Sequence, residues 1–139
     1  MGKNNLKPLA VTFFISGIWD LIAGMIYLFL IGTGRLIDNP QAHSFYCVFI
    51  ASFFFCFAYI QFFSAFNIRR YLFNVGCLIF GRLFYVVQLY WYILFFKDFP
   101  ATFWFTGIID MTFVVLYFAF ALRGGVGMKD LFLPLRENT

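Results

Sequence analysis

LAVTFFISGIWDLIAGMIYLFLI, residues 9–31, is 23 residues long, apolar almost throughout, and interrupted by a carboxylate at Asp20. A helix needs about 20 apolar residues to cross roughly 30 Å of hydrocarbon, so the stretch reads as a membrane span. Three more runs read the same way: 45–66, 71–96 with Arg82 inside it, and 101–122 with Asp110 inside it. An ionised side chain is expensive at the centre of a bilayer unless it is partnered. Asp20, Arg82 and Asp110 are therefore the residues on which function is expected to turn.

Composition agrees with a lipid solvent. Hydrophobic residues make up 63% of the 139, charged residues only 12%, and phenylalanine alone occurs 24 times. A water-soluble domain of this size needs about a quarter of its residues charged to cover its surface. The expected fold is all-α: one integral membrane four-helix bundle, 1–139, with a tail over 123–139 at the inner interface. Gly32, Gly34, Asp38, Asn39 and Pro40 punctuate the end of the first span, and Asn67, Arg69 and Arg70 the turn after the second. Lys97, Asp98 and Pro100 separate the third span from the fourth, and Gly124, Gly125 and Gly127 stop the last. Such short connections make the second and third helices, and the third and fourth, antiparallel neighbours.

Lys and Arg divide unevenly between the ends. Lys3, Lys7, Arg69, Arg70, Arg123, Lys129 and Arg136 fall on one side, against Arg35 and Lys97 on the other, which places both termini in the cytoplasm. The net charge of +4 is thus a topology signal, and nucleic acid is not an expected partner. Tyr46, Tyr90, Trp91, Tyr92 and Trp104 fall at the outer boundary, where amphipathic rings prefer to sit. The first apolar stretch exceeds the roughly 7 to 15 residues of a signal peptide and no small-x-small site closes it, so it is expected to stay in the membrane. Leu6 occupies the position where a myristoylation pattern asks for Ser or Thr.

At about 1.5 Å per residue, Asp20, Arg82 and Asp110 each lie ~16 to 18 Å from the cytoplasmic boundary, near the midplane. One arginine and two aspartates at one depth avoid lipid by facing one another, and the planar guanidinium fork suits two carboxylates. Fully ionised, the set has one excess negative charge, so either one Asp is protonated or another cation enters. The bland alternative is a buried salt bridge that fixes helix register and does no chemistry.

Two segments look like copies. Ser16-Gly17-Ile18-Trp19-Asp20 has Tyr27 seven residues after the Asp, and Thr106-Gly107-Ile108-Ile109-Asp110 has Tyr117 at the same offset. Running in opposite directions, they resemble the halves of an inverted repeat; chance convergence is the other reading. Gly17, Asp20, Gly24 and Tyr27 share a helical face where small residues admit a neighbouring backbone, and Gly76 and Gly81 flank the approach to Arg82.

Other polar residues say less. Gln61, Gln88 and Asn74 serve interhelical hydrogen bonds. Cys56 lies near midplane depth, beside the expected cluster, while Cys47 and Cys77 lie elsewhere; their spacing is not that of metal ligands. A single histidine, His43, cannot supply paired axial ligands to a haem. No metal or other cofactor is therefore expected. Motifs of hydrolases, zinc proteases and phosphate-binding loops are absent, so no catalytic residue is assigned.

The G-x-x-D element at Gly17 to Asp20, the Gly81-Arg82 pair in the third span and a polar residue in the fourth resemble the small four-span bacterial membrane proteins related to DoxX. That resemblance implies an accessory role beside redox or quinone-linked systems in a bacterial inner membrane. The chain also resembles the small multidrug transporters in having four short spans with a carboxylate in the first. It departs from them in Arg82 and a second Asp, which weaken attraction for a cationic drug. The expected function is a non-enzymatic accessory or interaction subunit, partnered by the bilayer and by a larger complex or a second copy. The alternative is a proton-coupled carrier of a small or lipophilic solute.

Overall fold

A computed structural model describes residues 5–31, 33, 44–97 and 103–133. Among them are α1 (Lys7–Ile26), continued by a π-helical segment (Tyr27–Ile31), α2 (Ser44–Phe66), α3 (Leu72–Phe95), α4 (Trp104–Arg123) and the short α5 (Met128–Phe132), with no strand. Four stretches are long and apolar enough to cross a membrane: Lys7–Ile31, Phe45–Phe66, Leu72–Phe95 and Trp104–Arg123. His43, the punctuation over 34–40 and 98–100, and the expected start of the fourth span at 101–102 lie outside the described residues.

The chain divides into two compact units, Met1–Thr12 with Asn67–Thr139, and Phe13–Phe66. In the second unit, α1 and α2 run antiparallel. Gly17 lies against Gln61 and Phe62, and Gly24 lies against Phe54 and Phe55, so an advance along one helix matches a retreat along the other. A Cβ at Gly17 would come within 2.9 Å of the Phe62 ring, and the close approach depends on its absence. Tyr27 stacks on Phe54 with ring centroids 5.7 Å apart. The buried face of α2 is built of small residues, Cys47, Ala51 and Ala58, before the polar Gln61 and Ser64.

In the first unit, α3 and α4 are also antiparallel. Gly107 meets Leu89 and Tyr90, the Tyr85 hydroxyl lies 2.7 Å from that of Thr106, and the Tyr90 hydroxyl donates to the Trp104 carbonyl at 3.0 Å. The buried residues of α4 are Gly107, Asp110, Val114, Tyr117 and Ala121, spaced alternately three and four apart. That is the stripe a helix buries against a partner. The helix stops in a Schellman motif: Val126 N–H bonds the Ala121 carbonyl and Gly125 N–H that of Leu122, each at 3.0 Å, with Gly125 left-handed at φ 74°.

The expected interfacial tail is partly a docked helix. Asp130 accepts from Gly127 N–H at 3.0 Å to start α5, and Leu131 is fully buried. The Leu131 carbonyl fills the space where a Cβ of Gly76 would stand, so Gly76 serves this docking and not the approach to Arg82. Gly81 needs a different correction: it is exposed, and a Cβ there would meet nothing within 4 Å. It sits next to a buried residue in sequence, but on a helix adjacent positions face different ways.

Candidate functional site: two buried polar pairs

Each unit holds an aspartate from one copy of the repeated motif, and each aspartate is hydrogen-bonded by the neighbouring helix. In the first unit Arg82 lies on the buried face of α3 with Val75, Ile79, Val86 and Leu89. Its Nη1 donates to Asp110 Oδ1 in a buried ion pair. The guanidinium carbon also lies 5.2 Å from the centre of the Phe113 ring, one turn along α4, where the ring face favours a cation. Arginine keeps its charge, and between a carboxylate and an aromatic face it is not interchangeable with lysine.

In the second unit Asp20 is 3% exposed and its Oδ2 accepts from Gln61 Nε2. The same nitrogen donates to the Phe57 carbonyl at 3.1 Å, one turn back on α2. Both amide hydrogens are thus used, which fixes the orientation of the side chain. Ser16, one turn before Asp20, and Ser64, nearly one turn after Gln61, are fully buried. The result is a patch of hydroxyl, carboxyl and amide groups in an otherwise apolar helix pair.

Gln61 belongs with the candidate site residues, although its sequence context marks it only as an interhelical hydrogen-bonding residue. Counting depth from the apolar ends puts it a few residues from the edge of its span, well away from Asp20. The register of α1 against α2 overturns that count, because Gln61 is level with Gly17. Helical side chains lean towards the N-terminus, so the Asp20 carboxylate reaches back to that level. The available signal was the pairing of a glycine on one helix with a long polar residue on the other.

Of the supporting residues, Gly17, Gly24 and Gly107 are pressed by aromatic side chains of the facing helix, and Tyr117 is fully buried. Cys56 is exposed, as is Cys77, so the expectation that Cys56 lies beside a polar cluster is corrected; Cys47 is buried. Among the described residues no group of three or more His, Cys, Asp or Glu side chains could hold a metal. No family model, curated protein or solved structure matches the chain.

Replacing Gln61 with leucine is expected to lower stability by about 1 to 3 kcal/mol, the cost of a buried carboxyl losing a donor. Thermal unfolding in a mild detergent measures it. A variant as stable as the parent would mean that the amide contributes nothing to holding Asp20.

Proposed function

We propose that the chain is an integral membrane protein with four spans and both ends in the cytoplasm, serving as a non-enzymatic accessory or interaction subunit of a membrane complex. The observation that carries the reading is the outward surface of its helices. In three of the four apolar stretches only 28% of the most apolar window is buried, and in α3 44%. Water cannot favourably cover the remainder, whereas lipid or an apolar protein surface can.

Part of that surface is ordered. Phe45, Phe49, Phe53 and Phe57 follow one another at four-residue steps along α2, each 39 to 62% exposed. Successive ring centroids are 4.9 to 6.3 Å apart. The rings meet successively stacked, edge-on and tilted, and such a row of aromatic contacts presents a stiff surface of low conformational entropy, which suits packing against another transmembrane helix. A bacterial inner membrane and a place beside redox or quinone-linked systems follow from the likeness to DoxX-related proteins.

The buried Asp20, set among Ser16, Gln61 and Ser64, favours the second reading, a proton-coupled carrier of a small or lipophilic solute. Gentle solubilisation followed by mass spectrometry separates the two. An accessory subunit co-purifies in fixed proportion with a larger protein, whereas a carrier purifies alone or with its own copies and changes proton flux in liposomes.

Topology is testable without knowing the partner. Reporter fusions at either end are expected to report the cytoplasm, and a reporter in the loop containing His43 the outside. Ends on opposite sides would defeat the four-span assignment, and both ends outside would reverse the orientation.

A further inference from the structure

The first unit gathers cations and an amphipathic cleft at one end. Lys7 opens α1, Arg69 and Arg70 lie in the turn before α3, Arg123 ends α4 and Lys129 lies in α5, and all five are exposed. Packing brings their elements together. Leu6 fills the space beside Gly124, so Lys7 and Arg123 are each adjacent in sequence to a residue of that contact. Leu131 of α5 docks at Gly76, near the start of α3, and Phe132 meets Phe118 of α4 with ring centroids 6.4 Å apart. The acidic group described at this end, Asp130, is occupied in capping its own helix.

A cleft of about 380 Å³ opens here, lined by Asn5, Lys7, Pro8, Val11, Thr12 and Phe120. Its lining runs from Asn5, just before α1, and Lys7 to Val11 one turn further along α1 and Phe120 of α4. The Thr12 hydroxyl is spent on the Pro8 carbonyl at 2.9 Å, so the side of the cleft lined by Val11, Thr12 and Phe120 is apolar in character. In the same unit α5 exposes Met128 and Phe132, and Leu133 follows it, also exposed. A cleft that joins the Lys7 cation to the apolar Val11 and Phe120, in a unit whose other exposed cations lie on nearby element ends, is complementary to a phospholipid bearing net negative charge.

We propose that this end of the first unit binds an anionic phospholipid, with Lys7 at the cleft holding the phosphate, Arg123 next to the Leu6–Gly124 contact adding to its attraction, and one acyl chain lying along Val11 and Phe120. The proposal rests on the four-span reading above. Lys129, Arg69 and Arg70 add long-range attraction, and Met128, Phe132 and Leu133 rest at the acyl boundary.

The test uses the full chain, first checked for resistance to alkaline carbonate extraction, then purified in a mild detergent. It is mixed with equal amounts of phosphatidylglycerol and phosphatidylcholine, and retained lipids are counted by native mass spectrometry. Phosphatidylglycerol is expected to be retained preferentially, and the preference to fall by about fivefold for each neutralisation in Lys7→Gln and Arg123→Gln. Lys97→Gln, which removes a charge beyond the opposite end of α3, is expected to leave the preference unchanged. Val11→Trp is expected to fill the cleft and reduce retention with every charge in place.

Equal retention of the two lipids, or a preference that survives the double neutralisation in a variant with unaltered helicity, overturns the proposal and assigns the surface to an acidic protein. Complete extraction by carbonate overturns the four-span reading itself. Membrane integration without lipid preference defeats only the lipid site.

Discussion

Replacing Arg82 with leucine is expected to destabilise the protein by about 3 to 5 kcal/mol, the usual cost of removing one partner from a buried ion pair. The substitution removes the Nη1 donor to Asp110 and leaves a carboxylate in surroundings that cannot solvate it. It also empties the position beside the Phe113 ring, now covered by the guanidinium. The double variant Arg82→Leu with Asp110→Asn is expected to recover much of the loss, since no net charge is then buried in the pair. Thermal or denaturant unfolding in detergent gives both numbers. An Arg82→Leu protein as stable as the parent would show that the pair is held by packing alone, and a double variant no better than the single one would remove the electrostatic explanation.

The second large effect is steric. A methyl group at position 76 would overlap the Leu131 backbone carbonyl, which is not the end of a flexible side chain and cannot step aside by itself. Gly76→Ala is therefore expected to lift α5 from α3, exposing Leu131 at a cost of about 1.5 to 3 kcal/mol. Trypsin should then cut after Lys129 markedly faster than in the parent. Gly81→Ala serves as the control, because its Cβ enters open space and alanine favours the helix by up to about 1 kcal/mol over glycine. Unchanged cleavage in Gly76→Ala would mean that α5 re-docks by a shift of the helix, with the glycine contributing no specificity.

Sequence reading found what depends on composition and period. Four apolar runs yield four long helices because uninterrupted apolar residues leave the backbone no better partner than itself. Agreement in depth between Arg82 and Asp110 anticipated their pairing, since α3 ends and α4 begins at one short connection and their registers are tied. Gln61 escaped because its partner lies across a longer connection, where the register is set by Gly17 and Gly24 accepting Phe62 and Phe55. Gly76 and Gly81 look equivalent in sequence and behave oppositely, as one faces a docked helix and the other faces outward. No spacing rule in α3 announces where a distant five-residue helix will land.

The π-helical segment Tyr27–Ile31 has a consequence of another kind. Such a segment spends more residues on a turn than an α-helix does, and in effect houses an insertion already absorbed by the backbone. It packs with Tyr27 stacked on Phe54 and Ile31 only 8% exposed, so the extra length is held against α2. For lineages diverging from this chain, that makes the end of the first helix a place where length can drift by one residue. A deletion there tightens the coil to an ordinary helix and spares the earlier turns bearing Gly17, Asp20 and Gly24. The same deletion six residues earlier would rotate Gly24 and Tyr27 away from the faces they now occupy.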